Sequence, residues 1–564
     1  MEKPTPPRPI LPILAGIALL LLLVLPATRW LFLTQLRMEL LHGQQIDLKA
    51  EEQAARNHPG VYPIQLAAAL LPQPLPPNVD PPATTTQNRV RLQRLQDLAA
   101  RFPDAPSAPA TILRYLTLGE VRLHRDEESL YSGIEPKHQP GDKQQSDPEL
   151  LAMFDQAAET GERTDPDNAY FPIMRAISLF DEHRDDEALA EIQRAGEKSY
   201  WDDYCTVEAD GQLRLNTETY GERGTLNRVA MQAAILFPHF SAIRGVARMA
   251  MYKATEAELA GRKEEGLAIR MALMRVGSTM RVQSPSYIGT LVGIAISAIS
   301  TGRPGGAPAI KLASNEESTE EKRQQLQQER LSRYYDYLRS FDHAEEVRLV
   351  QKEMAAGNEA KEIGSHFQEL PPFGKGTLNT LFGVWAANIV MLSNMLLLLA
   401  LGVAAWAATR IKPRKNLVAW RVSGCLLLGL GILAWLWGVL GVSAKPYFEL
   451  ALELANMSDH PSEINATVIM GVLMGLSLFV PLLSLTILAI ASKAERIPVA
   501  TGVGRGIRRL ALPLASLLFL VYGGLLCVTV RQEAAMDQSL QRMAQHEGNY
   551  LAELVGKPWP GPVR

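Results

Sequence analysis

Between Tyr200 and Asp210 the chain reads YWDDYCTVEAD, placing Tyr200, Trp201 and Tyr204 beside Asp202, Asp203, Glu208 and Asp210. Aromatic faces next to carboxylates can hold a cation or stack on a sugar. The same residues also suit a loop that packs on its own rings. Tyr200, Trp201, Asp202, Asp203 and Tyr204 are the candidate binding residues of the sequence. Cys205 follows directly, and nothing around it supplies the base that a reactive thiol requires. The other motifs of enzyme chemistry are missing. There is no H-E-x-x-H, no G-x-S-x-G and no Walker A loop. GKGT at Gly374 lacks the spacing of a phosphate loop, and GVGRG at Gly502 has no strand before it. His343, in DHAEE, has acidic neighbours but no second histidine and reads as a surface helix position. No catalytic residue, cofactor or metal site is therefore expected.

The 564 residues are 47% hydrophobic and 21% charged, but the two classes are segregated. Five stretches hold almost no charge: 10–33, 381–409, 417–442, 466–491 and 510–530. Each approaches the ~20 apolar residues that a membrane-spanning helix needs. Basic residues gather at Arg410–Lys415 and Lys493–Arg509, while the loop between the third and fourth stretches is acidic. By the positive-inside rule this predicts a five-helix transmembrane bundle in the cytoplasmic (inner) membrane. The N-terminus would lie inside, and residues 36–378 and the C-terminus outside. The predicted organisation is an anchor at 1–35, a juxtamembrane helix and Pro-rich linker at 36–87, and a helical body at 88–378. A four-span bundle at 379–530 and a tail at 531–564 follow. Gly424, Gly431 and Gly438 recur every seven residues, and Gly471 and Gly475 form a G-x-x-x-G pair. Such stripes allow close helix packing, within one chain or in a homo-oligomer.

Residues 1–35 and 379–564 carry 18 basic and 10 acidic side chains; with a whole-chain charge of -3, about -11 falls on 36–378. An acidic body is a poor partner for nucleic acid. Its apolar residues recur at three and four positions, so the expected fold class is all-α, built of helical hairpins. The 14-residue stretch Tyr287–Ser300 is too short to span and reads as a buried helix. Residues 315–354 read as one long charged helix whose contact face is Tyr334, Tyr335, Tyr337, Leu338 and Phe341.

Three segments share one layout: HRDEESL at His124, HRDDEAL at His183 and GRKEEGL at Gly261. Each is a polar turn, an acidic helix start and a leucine. The stretch DPDNAYFPIMRAISLFDEHRDDEALAEIQRA (165–195) resembles a tetratricopeptide repeat, with Ala176 and Leu179 on the first helix and Ala188, Ile192 and Ala195 on the inner face of the second. It departs from that family at His183, where a turn glycine is usual, and at Asp185, where an aromatic is usual. The resemblance implies a scaffold for protein or peptide partners, here held on the lipid bilayer. A second reading is the membrane subunit of an export complex. One span, a large outer domain and then a cluster of spans is a layout similar to that of ABC permeases of the macrolide-exporter type. Those carry three spans after the domain, whereas four are predicted here.

Overall fold

The computed structural model describes residues 10–25, 29, 48–72, 83–133, 146–220, 237–308, 320–366 and 541–563, with separate positions between 490 and 531. The chain divides into two compact units. One comprises Met1–Asp47, Glu222–Asn227 and Gln368–Ser539; the other comprises Leu48–Gly221, Arg228–Phe367 and Leu540–Arg564.

In the first unit, helix α1 (Ile10–Val24) is apolar throughout but has only 15 residues. At 1.5 Å per residue it reaches about 22 Å, short of the roughly 30 Å of hydrocarbon in a bilayer. Among the described residues no helix is long and apolar enough to cross a membrane. The expected five-helix transmembrane bundle, and the inner-membrane placement and topology that rest on it, are corrected accordingly. The second and third expected spans, nearly all of the fourth, and the glycines Gly424, Gly431, Gly438, Gly471 and Gly475 lie outside the described residues.

The second unit is helical, and among its described residues there is no strand beyond a single bridge between Asn168 and Tyr200. Its helices are α2 (Leu48–Asn57), α3 (Tyr62–Leu70), α4 (Ala83–Arg101), α5 (Ser107–Leu116), α6 (Glu127–Ser132), α7 (Pro148–Thr164), α8 (Tyr170–Asp181) and α9 (Asp185–Glu197). They continue as α10 (Cys205–Tyr220), α11 (His239–Leu259), α12 (Lys263–Gln283), α13 (Tyr287–Ser300), α14 (Glu320–Arg339), α15 (Ala344–Ser365) and α16 (Glu547–Val555). Local chemistry sets several starts. Asp147 accepts from Glu149 N with Pro148 in the first turn, and Ser286 accepts from Gly289 N. Both satisfy amide groups that a helix start leaves unpaired. The expected Pro-rich linker is partly a helix: Pro63 sits in the first turn of α3, where a missing N–H costs nothing, and Ile64, Leu66 and Leu70 are buried.

One hairpin geometry recurs. Between α8 and α9 the left-handed residue is His183 (φ 58°), between α11 and α12 it is Gly261 (φ 83°), and between α14 and α15 it is Asp342 (φ 68°). In each, the next residue donates its N–H to the carbonyl five back: Arg184 to Leu179, Arg262 to Ala257 and His343 to Leu338. That next residue then starts the second helix at near-identical angles, (-87°, 58°), (-85°, 62°) and (-91°, 59°). This is a Schellman ending followed at once by a new helix whose acidic first turn suits the helix dipole. The layout at His183 and Gly261 is thus the same turn. The segment at His124 is not: there Asp126 is the cap, one residue later, and accepts from Ser129 N. The third copy is Asp342, so residues 320–365 are two helices and not one. Asp visits the left-handed region more readily than most side chains, which lets the turn form without glycine or proline.

The first two hairpins stack in register, α8 against α11 and α9 against α12, over a continuous core that includes Ala176, Leu179, Ile192, Val246 and Leu273. The third joins through α12 and α15, where Met271 and Met274 meet Tyr334, Leu338 and Val350. Helix α13 crosses α12 at Gly277 and Gly293. A Cβ on Gly277 would lie 2.7 Å from Gly293 O, so the glycines set the spacing of this crossing.

Candidate functional site

The Tyr200–Tyr204 segment leaves α9 and runs beside the start of α8, where Ala169 N donates to Tyr200 O at 2.9 Å. Asn168 stitches the two together. Its amide donates to Asp202 O (2.9 Å), and its carbonyl oxygen accepts from Tyr170 N (3.0 Å) and Asp202 N (3.1 Å). Asp202 accepts from Tyr204 N at 2.7 Å, and Asp203 from Cys205 N at 3.1 Å, which starts α10. Trp201 is fully buried, edge-on to Tyr170, and Tyr170 is edge-on to His239. Tyr204 donates to Asp165. The structure therefore brings the predicted residues together but turns them inward. Trp201 and Asp203 are 0% exposed and Tyr204 is 8% exposed, while Tyr200 remains at the surface. The carboxylates already hold backbone amides and ring groups, so the loop is packed by its own aromatics and is not an open cation or sugar site.

Sequence reading missed the partners beneath this loop. Arg114 on α5 donates to Glu208 on α10, with both side chains buried, and Asp203 faces His239 Nε2 at 3.1 Å. Burial raises the Asp203 carboxyl, but the His239 hydrogen bond and the Arg114 charge outweigh it and hold it at about 2. Burial lowers His239 more than Asp203 raises it. Near pH 7 the imidazole is neutral and donates from Nε2 to an ionised Asp203, whose charge Arg114 also supports. Burial pushes the Cys205 thiol well up, so it stays protonated and a weak nucleophile. Among the described residues no group of three or more His, Cys, Asp or Glu side chains could hold a metal. The cluster can join α5, α8, α10 and α11; it holds no activated nucleophile.

Two further buried arginines do the same for irregular segments. Arg270 pairs with Glu258 across the α11–α12 hairpin and donates to the carbonyls of Ser300, Gly302 and Arg303. Arg281 pairs with Glu353 on α15 through two bonds, at 3.0 and 2.9 Å, and donates to Pro560 O (2.8 Å) and Gly561 O (3.0 Å). The planar guanidinium fork suits such bidentate pairing plus carbonyl capture.

A groove of about 680 Å³ lies among α4, α5 and α7, with Ala99, Ile112, Met153 and Ala157 on its floor and Gln156 and Arg163 at its rim. Residues 541–563 lie against α12, α13 and α15. There His546 accepts from Asn549 N at Nδ1 and donates to Val282 O from Nε2. Glu547 accepts from Tyr287 N. No known protein family, curated protein or solved structure matches the chain.

Proposed function

We propose that the helical unit is a binding scaffold for a protein or peptide partner, built from hairpins that resemble tetratricopeptide repeats. The observation that supports this reading most is the recurrence of one turn at His183, Gly261 and Asp342, with the first two hairpins stacked first helix on first and second on second. Such stacking buries a continuous core and leaves concave outer surfaces for partners. The groove among α4, α5 and α7 has the mixed lining of a binding site, an apolar floor that would take side chains with amide and guanidinium groups at the rim that would take a peptide backbone. The neutral His239, the protonated Cys205 and the inward carboxylates give no competing catalytic reading.

The test is photo-crosslinking in the native host from a benzophenone amino acid placed at Met153 or Gln156. A discrete adduct, identified by mass spectrometry and lost when the probe is moved to exposed Gln93 on α4, is the expected outcome. Equal labelling from both positions, or none from either groove position, would refute the groove as a partner site.

A further inference from the structure

Residues 557–563, KPWPGPV, have no secondary structure, yet they lie on the helical unit as a ligand would. Their strongest contacts are to main-chain atoms. Arg281 donates to Pro560 O and Gly561 O, and Val563 N donates to Ser278 Oγ at 3.1 Å. The receiving groups are built independently of the tail. Arg281 is 0% exposed and oriented by both oxygens of Glu353, and Glu353 also accepts from Ser297. Lys557 pairs with Glu362 at 2.9 Å at one end. Pro560 is buried, and the Trp559 ring covers Gly548 so closely that a Cβ there would come within 2.6 Å of it. Pro558, Pro560 and Pro562 remove three N–H donors and restrict the chain before binding. That leaves carbonyls as the recognised groups and lowers the ordering cost. A preformed, low-entropy backbone is what recognition of proline-rich segments exploits elsewhere.

We infer that the surface around Ser278, Arg281 and Glu353 is a binding groove for extended proline-rich peptides carrying an aromatic-Pro-Gly core. The chain's own residues 557–563 occupy it as a tethered, displaceable ligand. This rests on the scaffold reading and specifies one partner chemistry for it. Tethering gives the tail an effective concentration on the order of millimolar, so a partner segment must bind well or arrive in several copies to displace it.

The probe is a fluorescein-labelled peptide of residues 554–564, followed by anisotropy against the intact chain and its variants. The intact chain should bind at least tenfold more weakly than a chain ending at Gly556. Adding Arg281→Met to the truncated chain should weaken binding at least tenfold again. Should truncation disturb folding, the intact chain carrying Trp559→Ala decides: its weakened tail should admit the peptide at least threefold more tightly than the wild type. The inference is overturned if truncated and Trp559→Ala chains with unchanged helix content bind no peptide, or if Arg281→Met leaves the affinity unaltered. Crosslinks from Met153 or Gln156 alongside such a failure would leave the scaffold reading standing and remove only this groove.

Discussion

Replacing Arg270 with methionine tests whether the buried arginines hold this fold. The guanidinium is 0% exposed and all five of its N–H groups are used. Nε and Nη2 reach Glu258 at 2.5 and 3.0 Å, Nη1 reaches Ser300 O and Gly302 O at 2.9 and 2.7 Å, and Nη2 reaches Arg303 O at 3.2 Å. It also lies 5.4 Å from the centre of the Tyr334 ring. Burial disfavours its charge, but the Glu258 hydrogen bonds and charge outweigh that and raise its pKa. Methionine fills most of the volume but leaves Glu258 buried without its cation, and removing one partner of a buried pair costs about 3–5 kcal/mol. With about 1.4 kcal/mol per factor of ten, amide protection in α11 and α12 should fall by roughly two to three and a half powers of ten. The double variant Arg270→Met/Glu258→Met removes the stranded charge. It should recover more than half of the loss, leaving the cost of the freed loop carbonyls and of Gly305 N, which Glu258 accepts at 2.8 Å. Native-state hydrogen exchange reads both, and the pair forms a double-mutant cycle. A single-variant loss below about 1 kcal/mol, the size of an exposed ion pair, would refute the reasoning. So would a double variant no better than the single.

Other outcomes follow from the same contacts. Gly293→Ala places a Cβ 2.6 Å from Arg281 N and Gly277 O; it should cost about 1–3 kcal/mol by overpacking, whereas Gly60→Ala, with open space around it, should be near neutral in thermal unfolding. Burial opposes the charge on His343, but its bonds to Glu264 and Glu346 outweigh that and raise its pKa. The stability it adds is therefore full below about pH 6.5 and fades as pH rises through the folded value. The midpoint gap between wild type and His343→Gln, worth under about 1 kcal/mol, should be present at pH 6 and gone by pH 9; a constant gap would exclude the ion pairs. His239 is lowered chiefly by burial, so its contribution has the opposite sign and is lost as pH falls below about 6.5. Wild type should therefore lose more stability than His239→Gln between pH 7.5 and pH 5.5. An equal loss in both proteins would show that His239 does not titrate with unfolding.

Much of the local structure was legible in the sequence, because helix periodicity and capping act within a few residues. Tyr287–Ser300 was readable as a 14-residue helix and is one, with Gly293, Ile294, Ile296 and Ser297 buried but Ile288 and Leu291 exposed. Ala176, Leu179, Ala188, Ile192 and Ala195 were readable as inner positions and are at most 1% exposed. The turns at His183 and Gly261 were readable from their shared layout. Their counterpart at Asp342 was not, because an aspartate in the left-handed region leaves no glycine or proline to mark it.

What only the tertiary structure decided is which distant groups meet. Trp201 and Asp203 turn inward because Arg114, Glu208 and His239 arrive from three other helices. Arg281 gains a role because Glu353 orients it from α15 and the tail returns to it from the far end of the chain. Propensity and amphipathic pattern are properties of neighbours along the backbone. The pairing of buried charges depends on how the hairpins stack and on which carbonyls and carboxylates come within about 3 Å of a guanidinium taken out of water.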